Sequence, residues 1–317
     1  MRKTKLIAIF GLCLLYSCEK EVNVNIPDRE DKLVIHSTFR PFTAPYVKDF
    51  RVQLTKSSSI LDNQNIDTIA NANIKLFENN IIIDTLKYTD SIGIYSSDKF
   101  PKSRKKYRIE VERTDFPEVT ATDIVPKKTE LLQIEIEPIA YHDNEFDSYL
   151  SEITLKFKDD GATENYYEVV LKEAGTNHFP ELSTNDISVV NERYYPSQLN
   201  PGLDYPSRLL FSDTHFDGSE KDFSFFFKPA QYIEYENGEP VYFYNNQIIE
   251  VYFRSVSENY FNYYRSLLEK LNNQQGDILY GMAEPFEIPS NVEGGFGIFA
   301  GYQVDIKQFR IEEQRIN

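Results

Sequence analysis

The chain has 317 residues and a formal charge of −16 at neutral pH, with 50 acidic against 34 basic residues. So acidic a surface repels nucleic acid and bare anionic membrane, which makes both poor direct partners. Its 22 tyrosines and 23 phenylalanines, with no tryptophan, join abundant Ile, Val and Thr to favour pleated, half-buried strands.

The first element is a leader. Arg2, Lys3 and Lys5 form a basic start, and an unbroken run of apolar residues and glycine follows from Leu6 to Tyr16. A membrane-spanning helix needs about 20 such residues, whereas the apolar centre of a secretory signal needs about 7–15. The run ends Leu15-Tyr16-Ser17-Cys18, a pattern that resembles a bacterial lipobox, with cleavage before a cysteine that is then acylated. A plain signal peptide is the alternative. Each buried CH₂ contributes about 0.8 kcal/mol of membrane affinity, so three acyl chains on Cys18 would hold the protein on its membrane. The other cysteine, Cys13, lies inside the leader, so the mature chain keeps no thiol for a disulfide, a nucleophile or a thiolate metal site.

Residues 1–17 are thus read as signal peptide and the polar stretch 18–31 as a tether. Strands follow from alternation and β-branched content at Lys32–Phe39, Phe50–Thr55, Ala72–Glu78, Ile81–Leu86, Lys106–Glu112 and Val119–Val125. Asn79-Asn80 between two of them signals a hairpin. Short strands at this spacing predict a β-sandwich of immunoglobulin or transthyretin type over 32–127. Pro126 to Thr129 reads as a boundary. Strands resume at Leu131–Glu137, Glu152–Lys158 and Asn165–Lys172, with Asp159-Asp160-Gly161 as a turn. Residues 173–208 read as a long polar, proline-rich loop. Asp217-Gly218 reads as a turn between strands at Leu209–Ser212 and Asp222–Lys228, and Asn237-Gly238 as the turn of a hairpin from Tyr232 to Tyr244. Ile248–Val256 is the longest β run. Over Ser257–Gln275 the apolar residues Tyr260, Phe261, Tyr264, Leu267, Leu268 and Leu271 share one helical face, with Ser255-x-x-Glu258 as a capping box and Gly276 as a stop. The expected fold is mainly β. An N-terminal sandwich precedes a second β-rich domain over 128–317 that carries one amphipathic helix near 257–275.

Signs of chemistry are sparse. The four histidines form no H-x-x-x-H pair. His142-Asp143-Asn144-Glu145 offers hard ligands, but neighbours on an extended chain point apart. Asp213 to Gly218 lacks the alternating acids of a calcium loop and reads better as a turn. No phosphate loop, dinucleotide loop or nucleophile elbow is present. Gly294-Gly295-Phe296-Gly297 precedes apolar residues rather than a helix start; its glycines suit close backbone approach, with Phe296, Ile298 and Phe299 entering the core. No catalytic residue, metal ligand or cofactor is assigned, and the chain is read as a non-enzyme.

Two stretches point to a family. Cys18 to Pro27 with Lys32–Ile35, and Glu284 to Tyr302, resemble the DUF4249 lipoproteins of Bacteroidota. Ala72–Glu78, the Tyr107 strand, Val125-Pro126, Asp213-x-x-Phe216-Asp217-Gly218 and Tyr260-x-x-Tyr263-Tyr264 agree in order. Lys102 to Lys106 departs from it where the family often has a Pro-Gly turn. The resemblance implies a non-catalytic companion of a TonB-dependent outer-membrane transporter that handles an unidentified nutrient. A cell-surface adhesin or structural lipoprotein is the alternative. Glu19-Lys20-Glu21 after the cysteine resembles a surface-export signal, although a solvated tether on the periplasmic face reads equally well. The aromatic loops 173–208 and 232–247 supply the expected contacts, Tyr194, Tyr195, Tyr205, Tyr242 and Tyr244, with Phe296 from the glycine-rich stretch, although ordinary sheet core is the favoured place for most individual tyrosines.

Overall fold

The computed structural model describes residues 30–41, 50–58, 67–89, 92–143, 148–189, 207–280 and 287–316. The chain runs β1 (Leu33–Phe39), β2 (Phe50–Lys56), β3 (Asn73–Glu78), β4 (Ile81–Thr85), β5 (Lys87–Tyr88), β6 (Ile94–Ser97), β7 (Lys106–Arg113) and β8 (Phe116–Ile124). It continues through β9 (Leu131–Asp143), β10 (Ser148–Lys158), β11 (Tyr166–Glu173), β12 (Leu182–Ser183), β13 (Leu209–Ser212) and a short 3₁₀ turn at Asp213–His215. Last come β14 (Glu220–Phe227), β15 (Gln231–Glu236), β16 (Glu239–Tyr244), β17 (Gln247–Val256), helix α1 (Glu258–Tyr280), β18 (Val292–Glu293), β19 (Phe296–Ile311) and β20 (Gln314–Arg315). Among the described residues the architecture is mainly β with one α-helix, as the composition and the one helical stripe predict.

An eight-stranded sheet, ordered β13-β11-β17-β19-β1-β2-β6-β5, is the backbone of the molecule. Along one half its apolar side chains meet those of the five-stranded sheet β18-β8-β7-β3-β4, as alternation on β1, β2, β3 and β7 requires. Phe39, Phe50, Tyr107 and Phe299 interlock there, with Phe39 and Phe299 ring centres 4.4 Å apart. Along the other half it packs against the four-stranded sheet β12-β14-β10-β9 through Phe157, Tyr167, Phe211, Phe223 and Phe253. Burying each such ring contributes about 1.5–3 kcal/mol. A three-stranded sheet, β15-β16-β20, completes the set.

Strand β19 ties the halves together. Its first residues pair in parallel with β1 (Val34 with Phe296 through Phe39 with Gly301), and the rest pairs antiparallel with β17. Gly297 makes the crossing possible: it has φ of +106°, and a Cβ there would lie 1.9 Å from the Ile35 carbonyl oxygen. Gly301 likewise lets the strand approach Ile124, whose carbonyl oxygen would lie 2.5 Å from an added Cβ. The glycine-rich stretch, expected to close the second domain, instead joins the first core through Val292 and Phe299 and the sheet face under α1 through Ile298 and Ala300; β19 reaches the second core only at Phe309 and Ile311. Ile298 and Phe299 are buried as expected, but Phe296 is not; it lies at the strand start, 42 % exposed.

Both expected hairpins form. Asn79 and Asn80 turn β3 into β4 with φ of 49° and 69°, and Asn237 and Gly238 turn β15 into β16 with φ of 54° and 88°, as two-residue hairpins demand. The two Asp-Gly turns act differently from expectation. Asp159–Gly161 carries the chain from β10 to β11, and Asp217-Gly218 from β13 to β14; each connection crosses between sheets rather than joining neighbours.

Helix α1 begins two residues later than the capping box places it. Ser257, not Ser255, is the N-cap: its Oγ accepts from the Tyr260 amide at 3.2 Å. The Ser255 Oγ instead accepts from the Thr129 amide. Tyr260, Phe261, Tyr264 and Leu268 form the buried stripe and pack on the outer face of the eight-stranded sheet against Leu210, Val256, Ile298 and Ala300.

Candidate functional site

Among the described residues, those expected at a contact surface do not assemble into one. Cys18, Tyr194, Tyr195 and Tyr205 lie outside the described residues. Tyr242 and Tyr244 stand on β16 but belong to the interior. Tyr244 is fully buried and donates to the Pro138 carbonyl at 2.5 Å, and Tyr242 packs edge-on to Tyr149 with ring centres 5.4 Å apart. Their rings therefore offer no accessible face, because the 232–247 segment is a paired hairpin rather than a loop. Phe296 is in another sheet, beneath the Lys32 ammonium at 5.0 Å from its ring centre.

The two cross-sheet turns meet and bring three carboxylates together. Asp159, Asp213 and Asp217 each place an oxygen within 4.8 Å of the others. The turns touch because both carry glycine; a Cβ on Gly161 would lie 2.8 Å from the Gly218 Cα. Asp159 accepts from the Tyr167 hydroxyl at 2.5 Å and from the Gly218 amide at 2.8 Å, and Asp213 accepts from the Asn165 amide at 2.7 Å. Burial foremost, and the Asp159 and Asp217 charges after it, push the Asp213 carboxyl up despite those bonds. A shallow cleft of about 390 Å³, lined by Gly161 to Glu164, Asp213, Thr214 and Asp217, opens beside it. Such oxygens are the type that calcium or magnesium selects. Both Asp159 oxygens, however, are already engaged in holding the turns. Asp213 and Asp217 stand out in the sequence; Asp159, far upstream, reads there only as a turn residue.

A second polar centre escapes sequence reading altogether. Glu168 on β11 is completely buried. It accepts from Arg254 Nη1 at 2.5 Å, from Arg208 Nη1 at 2.8 Å and from the Tyr260 hydroxyl at 3.1 Å. Pairing of Glu168 with Arg254 across β11 and β17 sets two of these groups side by side, and α1 lays Tyr260 over them. Burial alone would raise the Glu168 carboxyl, but the Arg208 and Arg254 charges outweigh it and hold the group ionised. Burial, then the Glu168 charge, push the Tyr260 phenol well above its ordinary range. Arg208 lies over the Tyr264 ring and Arg254 over Tyr302, at 4.6 and 5.3 Å from their centres. With an ionised acid and protonated phenol fixed by cations, this centre holds the helix to the sheet and offers no free base or nucleophile.

On the other side of the helix start, Asp123 of β8 accepts from Ser257 Oγ at 2.5 Å, the Gly301 amide at 2.7 Å and Asn259 Nδ2 at 3.0 Å. It joins three elements: the end of β8, the first turn of α1 and the middle of β19. Asn291 reinforces the same corner by bonding the Phe299 amide and carbonyl at once, at 3.0 and 2.7 Å.

A β body built on one long shared sheet and locked by buried polar groups around one helix is the class of protein that emerges. A family model described as a domain of unknown function, DUF4249, matches residues 19–308, and the chain belongs to that family. No curated protein matches the chain. Among solved structures, a Corynebacterium diphtheriae protein described as membrane anchored is 13 % identical, with a TM-score of 0.19; the match covers 73 % of this chain and 55 % of that one. The chain thus spans about half the length of that protein. Among the described residues, no helix is long and apolar enough to cross a membrane, which leaves strand-built spans unaddressed.

Proposed function

We propose that the protein is a lipoprotein of the Bacteroidota outer membrane, anchored through Cys18, that works without catalysis as the accessory of a TonB-dependent transporter. It would bind a nutrient or hold it over the transporter mouth. The observation that carries the anchor is the order of basic residues, apolar run and Leu15-Tyr16-Ser17-Cys18, followed by a polar tether. Glu19 and Glu21 favour the outer face. The transporter partnership rests on the family resemblance, and membership of DUF4249 across residues 19–308 is consistent with it.

With Tyr242 and Tyr244 in the interior, the contact surface in this reading narrows. Tyr194, Tyr195, Tyr205 and the exposed Phe296 remain its aromatic candidates. The test is recovery of the native protein from membranes in mild detergent. A stoichiometric outer-membrane β-barrel is expected to accompany it, and recovery alone would sink the partnership.

A further inference from the structure

Every open sheet has two edges, and an edge with unpaired backbone groups recruits other strands unless it is short, bulged or interrupted by proline. Here β5, β12, β18 and β20 have two residues each, and β13 has four. The β4 edge is disturbed by a register shift opposite Leu76 and Phe77. The β9 edge carries Pro138 and two register shifts. Only β15, six residues long and paired with β16 in unbroken register, lacks each of these three protections among the described residues; it is guarded by charge alone, through Glu234 and Glu236.

The hairpin fixes which of its groups face outward. Glu236 and Glu239 flank the two-residue turn and so bond each other; hydrogen-bonded and non-bonded pairs then alternate along the strands. Tyr242, opposite Ile233, faces away from β15, as its carbonyl accepting from the Ile316 amide confirms. Ile233 and Tyr235 must therefore direct their amides and carbonyls to the open edge. Gln231 closes the near end through its side chain, which accepts from the Tyr149 amide at 3.1 Å. Ile233 and Tyr235 are also 48 % and 74 % exposed, so the residues with open backbone groups carry the exposed apolar side chains. On the opposite face stand Glu234 and Glu236, and Glu236 faces Glu239 across the hairpin, a like-charged pair that Arg315 only partly offsets at 3.1 Å.

We propose that the outer edge of β15 is a docking edge for an extended peptide segment of a partner, apolar where it meets Ile233 and Tyr235 and bearing lysine or arginine at the alternate positions. Antiparallel addition pairs its backbone with Ile233 and Tyr235 and sets its basic side chains beside Glu234, where side chains approach most closely. A second copy of this chain fits poorly, because its own Glu234 and Glu236 would face the same acids. The proposal depends neither on the lipid anchor nor on the transporter.

The probe is a synthetic peptide of alternating lysine and valine, added to the mature chain. A peptide of equal composition with its lysines and valines in separate blocks controls for plain attraction to an acidic protein. Hydrogen exchange should slow at the Ile233 and Tyr235 amides with the alternating peptide alone. Ile233→Pro removes an outward amide that the hairpin does not use, so thermal unfolding should change little while peptide affinity falls by about tenfold or more. Glu234→Lys should weaken the alternating peptide as strongly, a readout that stands even if the proline variant misfolds. Equal binding of the blocked peptide, or protection elsewhere on the molecule, would overturn the proposal. So would self-association through β15, which would assign the edge to a second copy.

Discussion

Two carboxylates are buried on either side of the start of helix α1, and they are stabilised in opposite ways. Glu168 faces two guanidinium groups; Asp123 faces only neutral donors from Ser257, Asn259 and the Gly301 amide. The consequence is visible in their ionisation. The arginines outweigh burial at Glu168 and lower its pKa, whereas at Asp123 burial outweighs the donors and raises it. Oriented dipoles at a helix start can hold a carboxylate in place without fully repaying its lost hydration. Full charges can, but each then depends on the other: three charged groups in one interior are safe only together.

The comparison breaks most sharply at Glu168. Glu168→Ala leaves two buried cations without their acid and is expected to cost about 3–5 kcal/mol in denaturant unfolding. Asp123→Ala removes the acceptor of three neutral donors and is expected to cost less, about 1–3 kcal/mol. If the Asp123 variant were the less stable, dipoles would be the stronger support and the account of the helix start would be wrong. A third variant sharpens the point. Replacing Glu168, Arg208 and Arg254 together by Leu, Met and Met should restore stability to within about 1–2 kcal/mol of the parent, because no charge is left unpaired. A triple variant as unstable as Glu168→Ala would show that packing, not charge, makes the site fragile.

The smallest effect is in pH dependence, where the two acids have opposite signs. Glu168, with its lowered pKa, contributes stability that is present above its unfolded value and lost as pH falls through the folded one. Asp123, with its raised pKa, contributes stability that is full below its unfolded value and lost as pH rises through the folded one. Asp123→Asn should therefore gain on the parent as pH is raised from about 4 towards neutrality. Equilibrium unfolding of both proteins across that interval checks it; a constant difference would contradict the assignment.

Much of this fold is legible in the sequence because strands with one buried face must alternate. The Asn79-Asn80 and Asn237-Gly238 turns, the β1, β2, β3 and β7 patterns and the α1 stripe all carry local signals. What escapes depends on long-range pairing. Glu168 sits between Tyr167 and Val169 in ordinary alternation, so it reads as a solvent-facing residue until α1 is laid over that face. Asp159 and Asp217 read simply as turn residues because local chemistry specifies a turn, not which sheet the chain enters next. The placement of Tyr242 and Tyr244 fails for a related reason: a tyrosine suits a wet surface and a core with one acceptor equally well, and the Pro138 carbonyl that decides for Tyr244 is over a hundred positions away. Gly297 announces close approach, but only the parallel pairing names β1 as the strand approached.

The proposed function rests on attachment to a membrane through Cys18, and the mass of the N-terminal peptide from protein purified out of native membranes tests this most directly. Attachment through Cys18 predicts a peptide that begins at Cys18 and carries acyl groups on its sulfur and amino nitrogen. A peptide beginning elsewhere, or one with a free Cys18 thiol, would contradict it.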